Sequence, residues 1–170
     1  LREATQFELI NLQEKLGVTF VVVTHDQEEA MTLASRIGVM DRGEIVQVGT
    51  PTEIYEYPTS KFVADFIGSV NMFEGRLTED EPNYVRIHAP ELSCAIYVDH
   101  GISSAPGAAV WAAIRPEKIE LTRDEPPGPD NRARGVVKDI AYMGDMSIYL
   151  VRIDSGKMVR VTLPNSVRQL

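Results

Sequence analysis

The hydrophobic pattern of residues 1–68 predicts helices and short strands in alternation. Residues 1–16 repeat apolar side chains every three to four positions, which predicts an amphipathic helix that ends at Gly17. The run Val18–Thr24 is β-branched and aromatic, and a short run of this kind predicts a strand buried on both faces, as in a parallel sheet. A second helix is predicted over residues 27–34. This order of elements is typical of a layered α/β domain.

The segment that follows predicts a hairpin and two further helices. Apolar runs at residues 37–40 and 45–48 enclose a polar turn with a glycine, which favours a β-hairpin. A capping box is predicted at the next helix start, with Thr50 as the N-cap and Glu53 three positions later. The last helix of this part, over residues 60–67, is expected to pack four apolar side chains: Phe62, Val63, Phe66 and Ile67.

The pattern changes after Gly68, from helices to short strands separated by turn residues. Seven strands are predicted, at residues 72–77, 84–87, 95–98, 110–114, 135–140, 147–153 and 159–163. Strands at this spacing are typical of a small β-barrel, so residues 69–170 are predicted to form an all-β, OB-like domain. The predicted fold class is therefore mixed α and β: an α/β segment over residues 1–68, followed by an OB-like β-barrel.

Composition narrows the class of protein. The chain of 170 residues is 44% hydrophobic and 25% charged, as in ordinary soluble globular proteins. Its net charge of −8 argues against nucleic acid as a partner, because nucleic-acid binding depends on Lys and Arg at the phosphates. The single cysteine, Cys94, has no metal-ligand spacing around it, and no metal site is predicted. No apolar run reaches the roughly 20 residues of a membrane span, so a membrane role is expected to come through a partner.

His25 is the candidate for chemistry that the residues themselves single out. It follows the predicted strand Val18–Thr24, and ligands of open α/β sheets bind at the carboxyl ends of the strands. A lone histidine at a strand end is nevertheless structural more often than functional. From the residues alone, both roles stay open.

The sequence around His25 closely resembles the switch-histidine segment of ABC transporter ATPases. The resemblance covers VTHDQEEAM at residues 23–31 and ASRI at residues 34–37. The strings MDRGEIVQVGTPTEIYEYP and KFVADFIGSVN resemble the importer branch of this family, which includes maltose, polyamine, iron and sulfate ATPases. The resemblance implies that His25 contacts the γ-phosphate of an ATP held between two subunits.

Three strings in the predicted barrel resemble the transport-associated OB (TOBE) domain of importer ATPases: NMFEG, RPEKI and YMGD. In that family the domain mediates contacts between subunits and, in some members, regulation or small-ligand binding. The resemblance therefore makes Arg115, Glu117, Gly144 and Asp145 candidate regulatory or interface residues. On physical grounds alone, Arg115 and Glu117 flank a proline at a strand end, and Gly144 supplies a turn conformation that other residues resist.

Several parts of a working ABC ATPase are absent from this sequence. A phosphate-binding loop has the pattern G-x-x-x-x-G-K-[ST], and around Gly156-Lys157 both Val151 and Met158 break it. No LSGGQ segment, Q-loop or strand-end Asp-Glu pair is recognisable. The resemblance places these parts upstream of residue 1, so the sequence is expected to be a C-terminal fragment, incomplete at its own C-terminus and inactive alone. ATP and Mg2+ are expected in the full-length protein, and no cofactor is expected on this fragment.

The resemblance also predicts the function of the full-length protein. It implies an ATP-hydrolysing subunit that drives uptake of a small solute, and FIGSVNMFEGRL is closest to polyamine importers of the putrescine and spermidine type. The implied partners are a second ATPase subunit, two integral-membrane permease subunits and a periplasmic or extracellular solute-binding protein, at the cytoplasmic face of the membrane. Two other classes stay open: a stand-alone regulatory module whose barrel binds a small ligand, and a hydrolase that uses His25 with Asp26. The second is disfavoured because adjacent turn residues rarely point the same way and no nucleophile is identifiable.

Overall fold

Helices and a hairpin make up the first part of the chain. The computed structural model describes residues 2–166, and the chain divides between Gly68 and Ser69 into two units. The elements of the first unit are α1 (Arg2–Leu16), α2 (Gln27–Leu33), β1 (Ile37–Asp41), β2 (Glu44–Gly49), α3 (Pro51–Glu56) and α4 (Lys61–Phe66). Leu1, at the start of the predicted first helix, and residues 167–170, at the end of the predicted barrel, lie outside the described residues.

Helix α1 confirms the predicted first helix, and it ends at Gly17 as predicted. The Gly17 N–H donates to the Gln13 carbonyl oxygen at 2.9 Å, and the φ of Gly17 is +62°, a conformation that glycine adopts without a steric penalty. The apolar stripe of the helix is nevertheless exposed at Phe7, Leu12 and Leu16. Among the described residues, the stripe therefore lacks a surface that covers it fully.

The prediction of a buried strand at Val18–Thr24 is wrong for this structure. Residues 18–24 form neither helix nor strand, and Val21 and Val23 are 88% and 95% exposed. A strand inside a parallel sheet needs neighbours on both sides to bond its N–H and C=O groups. Within residues 2–166 no strand pairs with this segment, so its valine side chains stay open to solvent whatever their β-propensity.

The predicted hairpin and the predicted capping box are both confirmed. Strands β1 and β2 pair antiparallel, and the turn residues Arg42 and Gly43 have φ of +49° and +86°, as a type I′ hairpin turn requires. At the start of α3, the Glu53 N–H donates to the Thr50 hydroxyl at 3.3 Å, and the Thr50 N–H donates to the Glu53 carboxylate at 2.8 Å. The hydrogen bond from the Thr50 backbone is the main reason that the pKa of Glu53 lies below its ordinary value.

The core of the first unit lies between the hairpin and the two short helices. It is formed by aliphatic side chains: Ile37, Val39, Ile54, Val63 and Ile67. Two side chains predicted to pack there, Phe62 and Phe66, are instead partly exposed and stack on each other with ring centroids 5.5 Å apart. Because a short helix buries one face, the aromatic pair lies on the face that the core does not reach.

The second unit confirms each predicted strand. Its elements are β3 (Asn71–Glu81), β4 (Tyr84–His88), β5 (Ile96–Val98), β6 (Ala109–Ile114), a 3-10 turn (Pro116–Lys118), β7 (Gly135–Tyr142), β8 (Met146–Ile153) and β9 (Met158–Pro164). They form two antiparallel sheets, in the orders β5-β4-β3-β6 and β7-β8-β9. Buried side chains from both sheets share one core, so the sheets curl around it as in an OB-like barrel. The predicted mixed α and β fold class is confirmed.

A buried asparagine joins the two sheets. Asn71, the first residue of β3, is 6% exposed. Its Nδ2 donates to the Arg160 carbonyl oxygen at 2.8 Å and to the Ile114 carbonyl oxygen at 3.3 Å. Its Oδ1 accepts the Arg160 N–H at 2.8 Å. The amide thus bonds β9 as a neighbouring strand would, because it offers one donor and one acceptor side by side.

Strand β7 lies at the edge of the second sheet and is exposed along its whole length. Val136, Ile140 and Tyr142 leave apolar surface open there. The pairing of β7 with β8 is irregular between Val137 and Asp139, and the Asp139 carboxylate accepts the Ile140 N–H at 2.8 Å. An irregular edge and a charged side chain that bonds the edge backbone both discourage pairing with another chain.

Candidate functional site

His25 lies in the turn that leads into α2. The Asp26 N–H donates to the Thr24 hydroxyl at 3.0 Å, and the Glu29 N–H donates to the Asp26 carboxylate at 3.0 Å. Asp26 is therefore the N-cap of α2, and its carbonyl oxygen accepts the Ala30 N–H at 3.1 Å. The predicted helix start after His25 is confirmed, although no strand precedes the histidine within the described residues. His25 itself is exposed to solvent.

His25 borders an open cleft of about 770 Å³ in the first unit. Residues 19–24 line it together with apolar side chains of α1 and the hairpin, among them Leu9 and Val39. Polar groups reach the cleft at His25, Asp26 and Arg36. This volume lies within the range of small-molecule sites, and an imidazole can donate a hydrogen bond to a ligand oxygen or accept one from a ligand. The described residues thus give His25 an accessible position at the cleft.

The Gly156-Lys157 pair belongs to the turn between β8 and β9. The Lys157 Nζ lies 2.7 Å from a carboxylate oxygen of Glu91 and 4.8 Å from the centroid of the Phe73 ring. Its positive charge therefore faces a carboxylate and an aromatic ring of the barrel. The geometry agrees with the sequence argument that this pair is no phosphate-binding loop.

Arg115 and Glu117 occupy different environments in the second unit. Arg115 is 6% exposed, and its Nη1 donates to the Ser69 carbonyl oxygen at 3.3 Å. It immediately precedes the 3-10 turn, in which Glu117 is exposed. Arg115 therefore binds the first residue of the second unit, and Glu117 presents a carboxylate to solvent.

Gly144 and Asp145 form the turn between β7 and β8. Gly144 has a φ of +95°, as a turn glycine is expected to have. Asn165, which follows β9, holds this turn: its N–H donates to the Asp145 carbonyl oxygen at 2.7 Å, and its Nδ2 donates to the Gly144 carbonyl oxygen at 3.0 Å. Its Oδ1 also accepts the hydroxyl of the buried Ser147 at 2.8 Å. The turn is thus fixed through its backbone.

The candidates divide between the two units. His25 belongs to the first unit, and the other four residues belong to the second. Within the second unit, the 3-10 turn packs against β9, and the β7–β8 turn is bonded to Asn165 just after β9. The sequence analysis did not predict the hydrogen bonds that Asn71 and Asn165 make in the barrel. The signal available for them was the presence of an asparagine at each end of the predicted strand pattern.

Comparisons with known proteins show which proteins this chain is similar to. The TOBE domain family matches residues 112–170. The putrescine transport ATP-binding protein PotG of Escherichia coli is 48% identical over 168 residues, which are 99% of this chain and 45% of that protein. The spermidine/putrescine import ATP-binding protein PotA of Trichormus variabilis is 41% identical, over 100% of this chain and 45% of that protein. Its namesake in Chromobacterium violaceum is 38% identical, over 98% of this chain and 46% of that protein.

The chain corresponds to the C-terminal part of the ABC importer ATP-binding proteins. It spans less than half the length of the curated relatives that it matches. The resemblance to importer ATPases and to the TOBE domain is therefore confirmed.

The candidate residues differ in whether they lie inside the segment that matches the TOBE domain family. Arg115, Glu117, Gly144 and Asp145 lie inside the segment that matches the TOBE domain, and His25 lies outside it. None of the helices within residues 2–166 combines the length and the apolar character that crossing a bilayer would require. The functional roles of the candidate residues remain predictions.

Proposed function

We propose that this chain forms part of the ATP-hydrolysing subunit of an ABC importer and that His25 contacts the γ-phosphate of ATP there. The observation that carries the proposal is the 48% identity to the Escherichia coli putrescine transport ATP-binding protein, which extends over 99% of the chain and so includes the His25 turn. The exposed position of His25 on a turn held by neighbouring side chains supports the same role.

Phosphoryl transfer is catalysed mainly by positioning and by stabilising charge on the transferred group. An imidazole beside the γ-phosphate can stabilise the developing charge and orient the attacking water. We assign His25 this role in the whole protein, and we assign the phosphate-binding loop, the Mg2+ ligands and the general base to parts that this sequence lacks. From this chain, His25 is the residue that we place against ATP.

The proposed solute is a polyamine, putrescine or spermidine. The relatives of 48%, 41% and 38% identity are a putrescine transport protein and two spermidine/putrescine import proteins, and this agreement supports the assignment. The proposed partners are a second ATP-binding subunit, two permease subunits in the membrane and a solute-binding protein. The proposed location is the cytoplasmic face of the membrane. Glu117 and Asp145 are the side chains that we propose for contact with a partner or a regulator, together with Arg115 and Gly144 as supports of their turns.

The catalytic part of the proposal is tested by His25→Ala in the full-length ATP-binding protein assembled with its permease. We expect ATP turnover to fall strongly and the affinity for ATP to stay within about twofold, because the other phosphate contacts remain. His88→Ala is the matched control, since it removes an exposed imidazole of the second unit. Undiminished hydrolysis in the His25 variant would show that this histidine has no catalytic role.

The solute is tested separately from the catalysis. Vesicles that contain the transporter should take up labelled putrescine in an ATP-dependent way and should leave labelled maltose and sulfate outside. Uptake of another solute in place of polyamines would correct the substrate and leave the ATPase assignment standing. If this chain is stabilised by a polyamine but no nucleotide affects the full-length protein, the alternative of a ligand-binding regulatory module gains support.

A further inference from the structure

The two residues beside His25 both use their side chains to bond the backbone. Thr24 and Asp26 are half-buried, whereas His25 between them is exposed. The Thr24 hydroxyl accepts the Asp26 N–H at 3.0 Å, so this hydrogen bond spans the backbone of His25. The Asp26 carboxylate accepts the Glu29 N–H at 3.0 Å, so the next bond fixes the turn against α2. The first bond therefore closes around the backbone of His25, and the second fixes Asp26, the residue that follows it.

We propose that Thr24 and Asp26 are positioning residues that set the direction of the His25 imidazole. This inference rests on the proposed contact of His25 with ATP. Rotation about the φ or ψ of His25 separates the Asp26 N–H from the Thr24 hydroxyl, so the hydrogen bond selects one backbone conformation. A side chain whose backbone is already fixed reaches its target oxygen with less reorganisation, which is how supporting residues improve a catalytic contact.

The location of the turn explains why local bonds are needed. Within residues 2–166, no strand pairs with residues 18–24, so sheet hydrogen bonds do not hold Thr24 in place. On the other side, α2 has seven residues, and a helix this short depends on its N-cap. The hydrogen bond between Thr24 and Asp26 thus closes the turn around His25, and the carboxylate and carbonyl oxygen of Asp26 join the turn to α2.

The first measurement is made on the full-length ATP-binding protein by NMR. Thr24→Val removes the hydroxyl acceptor and keeps the shape of the side chain. We expect amide exchange at Asp26 to become about tenfold faster and the backbone order parameter of His25 to fall from about 0.85 toward 0.6. Thr24→Ser should restore both values, and Thr32→Val, the same change at an exposed position of α2, should leave them unchanged. Unchanged exchange and order in Thr24→Val would overturn the proposal.

The second measurement is made on the full-length ATP-binding protein and separates positioning from folding. Asp26→Ala should lower kcat about tenfold while the KM for ATP changes less than about twofold, because a displaced catalytic group weakens the transition state more than binding. Asp26→Ser keeps a capping oxygen and should recover most of the rate. Glu28→Ala removes a carboxylate of the same helical turn and should have wild-type kinetics.

The outcomes distinguish this inference from the proposed function. Wild-type kcat in Asp26→Ala, together with lost turnover in His25→Ala, would overturn the positioning role and leave the role of His25 intact. Equal losses in Asp26→Ala and Asp26→Ser would also overturn it, because capping would then not be the property that matters. Wild-type turnover in His25→Ala would overturn the proposed function itself, whatever the Asp26 variants show.

Discussion

Replacing Asn71 should destabilise the second unit by more than any exposed polar substitution. The Asn71 amide makes three hydrogen bonds from a nearly buried position, two with Arg160 and one with Ile114. Each such bond contributes about 1 kcal/mol net, and a backbone group left without a partner in a buried site costs about 1–3 kcal/mol. Asn71→Ala should therefore lower the free energy of unfolding by about 3 kcal/mol. Asn71→Asp should cost at least as much, because a carboxylate would face two carbonyl oxygens.

The assay is urea unfolding followed by the fluorescence of Trp111. This residue is the chain's single tryptophan and lies in β6, so its signal reports the second unit by itself. With an m-value of about 1.5 kcal/mol per M for a unit of this size, a loss of 3 kcal/mol moves the midpoint down by about 2 M urea. Asn83→Ala, in the exposed turn between β3 and β4, is the matched control and should move the midpoint little. If the urea midpoint of Asn71→Ala stays close to that of this control, the claim that Asn71 holds the two sheets together is refuted.

Three further substitutions test smaller features. Thr50→Ala removes the hydroxyl that bonds Glu53 but keeps the backbone N–H at position 50, so in an NMR titration the pKa of Glu53 should rise only part of the way toward its ordinary value of 4.5. Because the native pKa is lowered, the contribution of this carboxylate to stability is present above pH 4.5 and is lost as the pH falls through the native pKa. An unmoved titration would mean that the Thr50 hydroxyl does not contribute to the lowered pKa. The Tyr84 hydroxyl donates to the Glu79 carboxylate at 3.1 Å, and this bond raises the pKa of Tyr84 above 10.0. Glu79→Gln should therefore return the pKa of Tyr84 toward 10.0 in an ultraviolet titration. A titration curve that keeps its wild-type midpoint argues against the bond. Asp139→Ala should increase self-association in sedimentation velocity, because it uncovers the Ile140 N–H at the apolar edge strand β7. Unchanged sedimentation would mean that the Asp139 carboxylate does not protect this edge.

The parts of the fold that the sequence predicts correctly are those decided by near neighbours. The β1–β2 hairpin depends on Gly43 between two short apolar runs, and the start of α3 depends on Thr50 and Glu53 three positions apart. Most strands of the barrel pair with the strand next in sequence, so their pattern also predicts them. In each case the partners lie a few residues away, and local preference agrees with the final structure.

The failures concern segments whose partners are distant or lie outside the described residues. Val18–Thr24 has the composition of a buried strand, but composition does not supply the neighbouring strands that such a segment needs. Asn71 and Arg115 look like ordinary polar residues in the sequence. Asn71 bonds the carbonyl oxygen of Arg160, 89 residues away, and Arg115 bonds that of Ser69, 46 residues away. No local sequence pattern predicts a partner at such a distance.

The candidate site shows the same division. The start of α2 after His25 follows from acidic residues in its first turn, and the structure confirms it. The hydrogen bond from Asp26 to Thr24 and the cleft beside His25 depend on backbone geometry that the sequence pattern does not specify. The catalytic role of His25 came from resemblance to a family, because a histidine in a turn has many uses.

The separation between Asn71 and Arg160 also has a consequence for the order of events during synthesis. A ribosome adds about 5–20 residues per second, so the 89 residues between the amide and its partner on β9 take about 4 to 18 s to appear. During that interval β3 can pair with β4 and then with β6, but the two sheets cannot yet close over their shared core. The nascent second unit therefore passes through a half-built state with exposed apolar surface, and it becomes complete only when its last strand has been made.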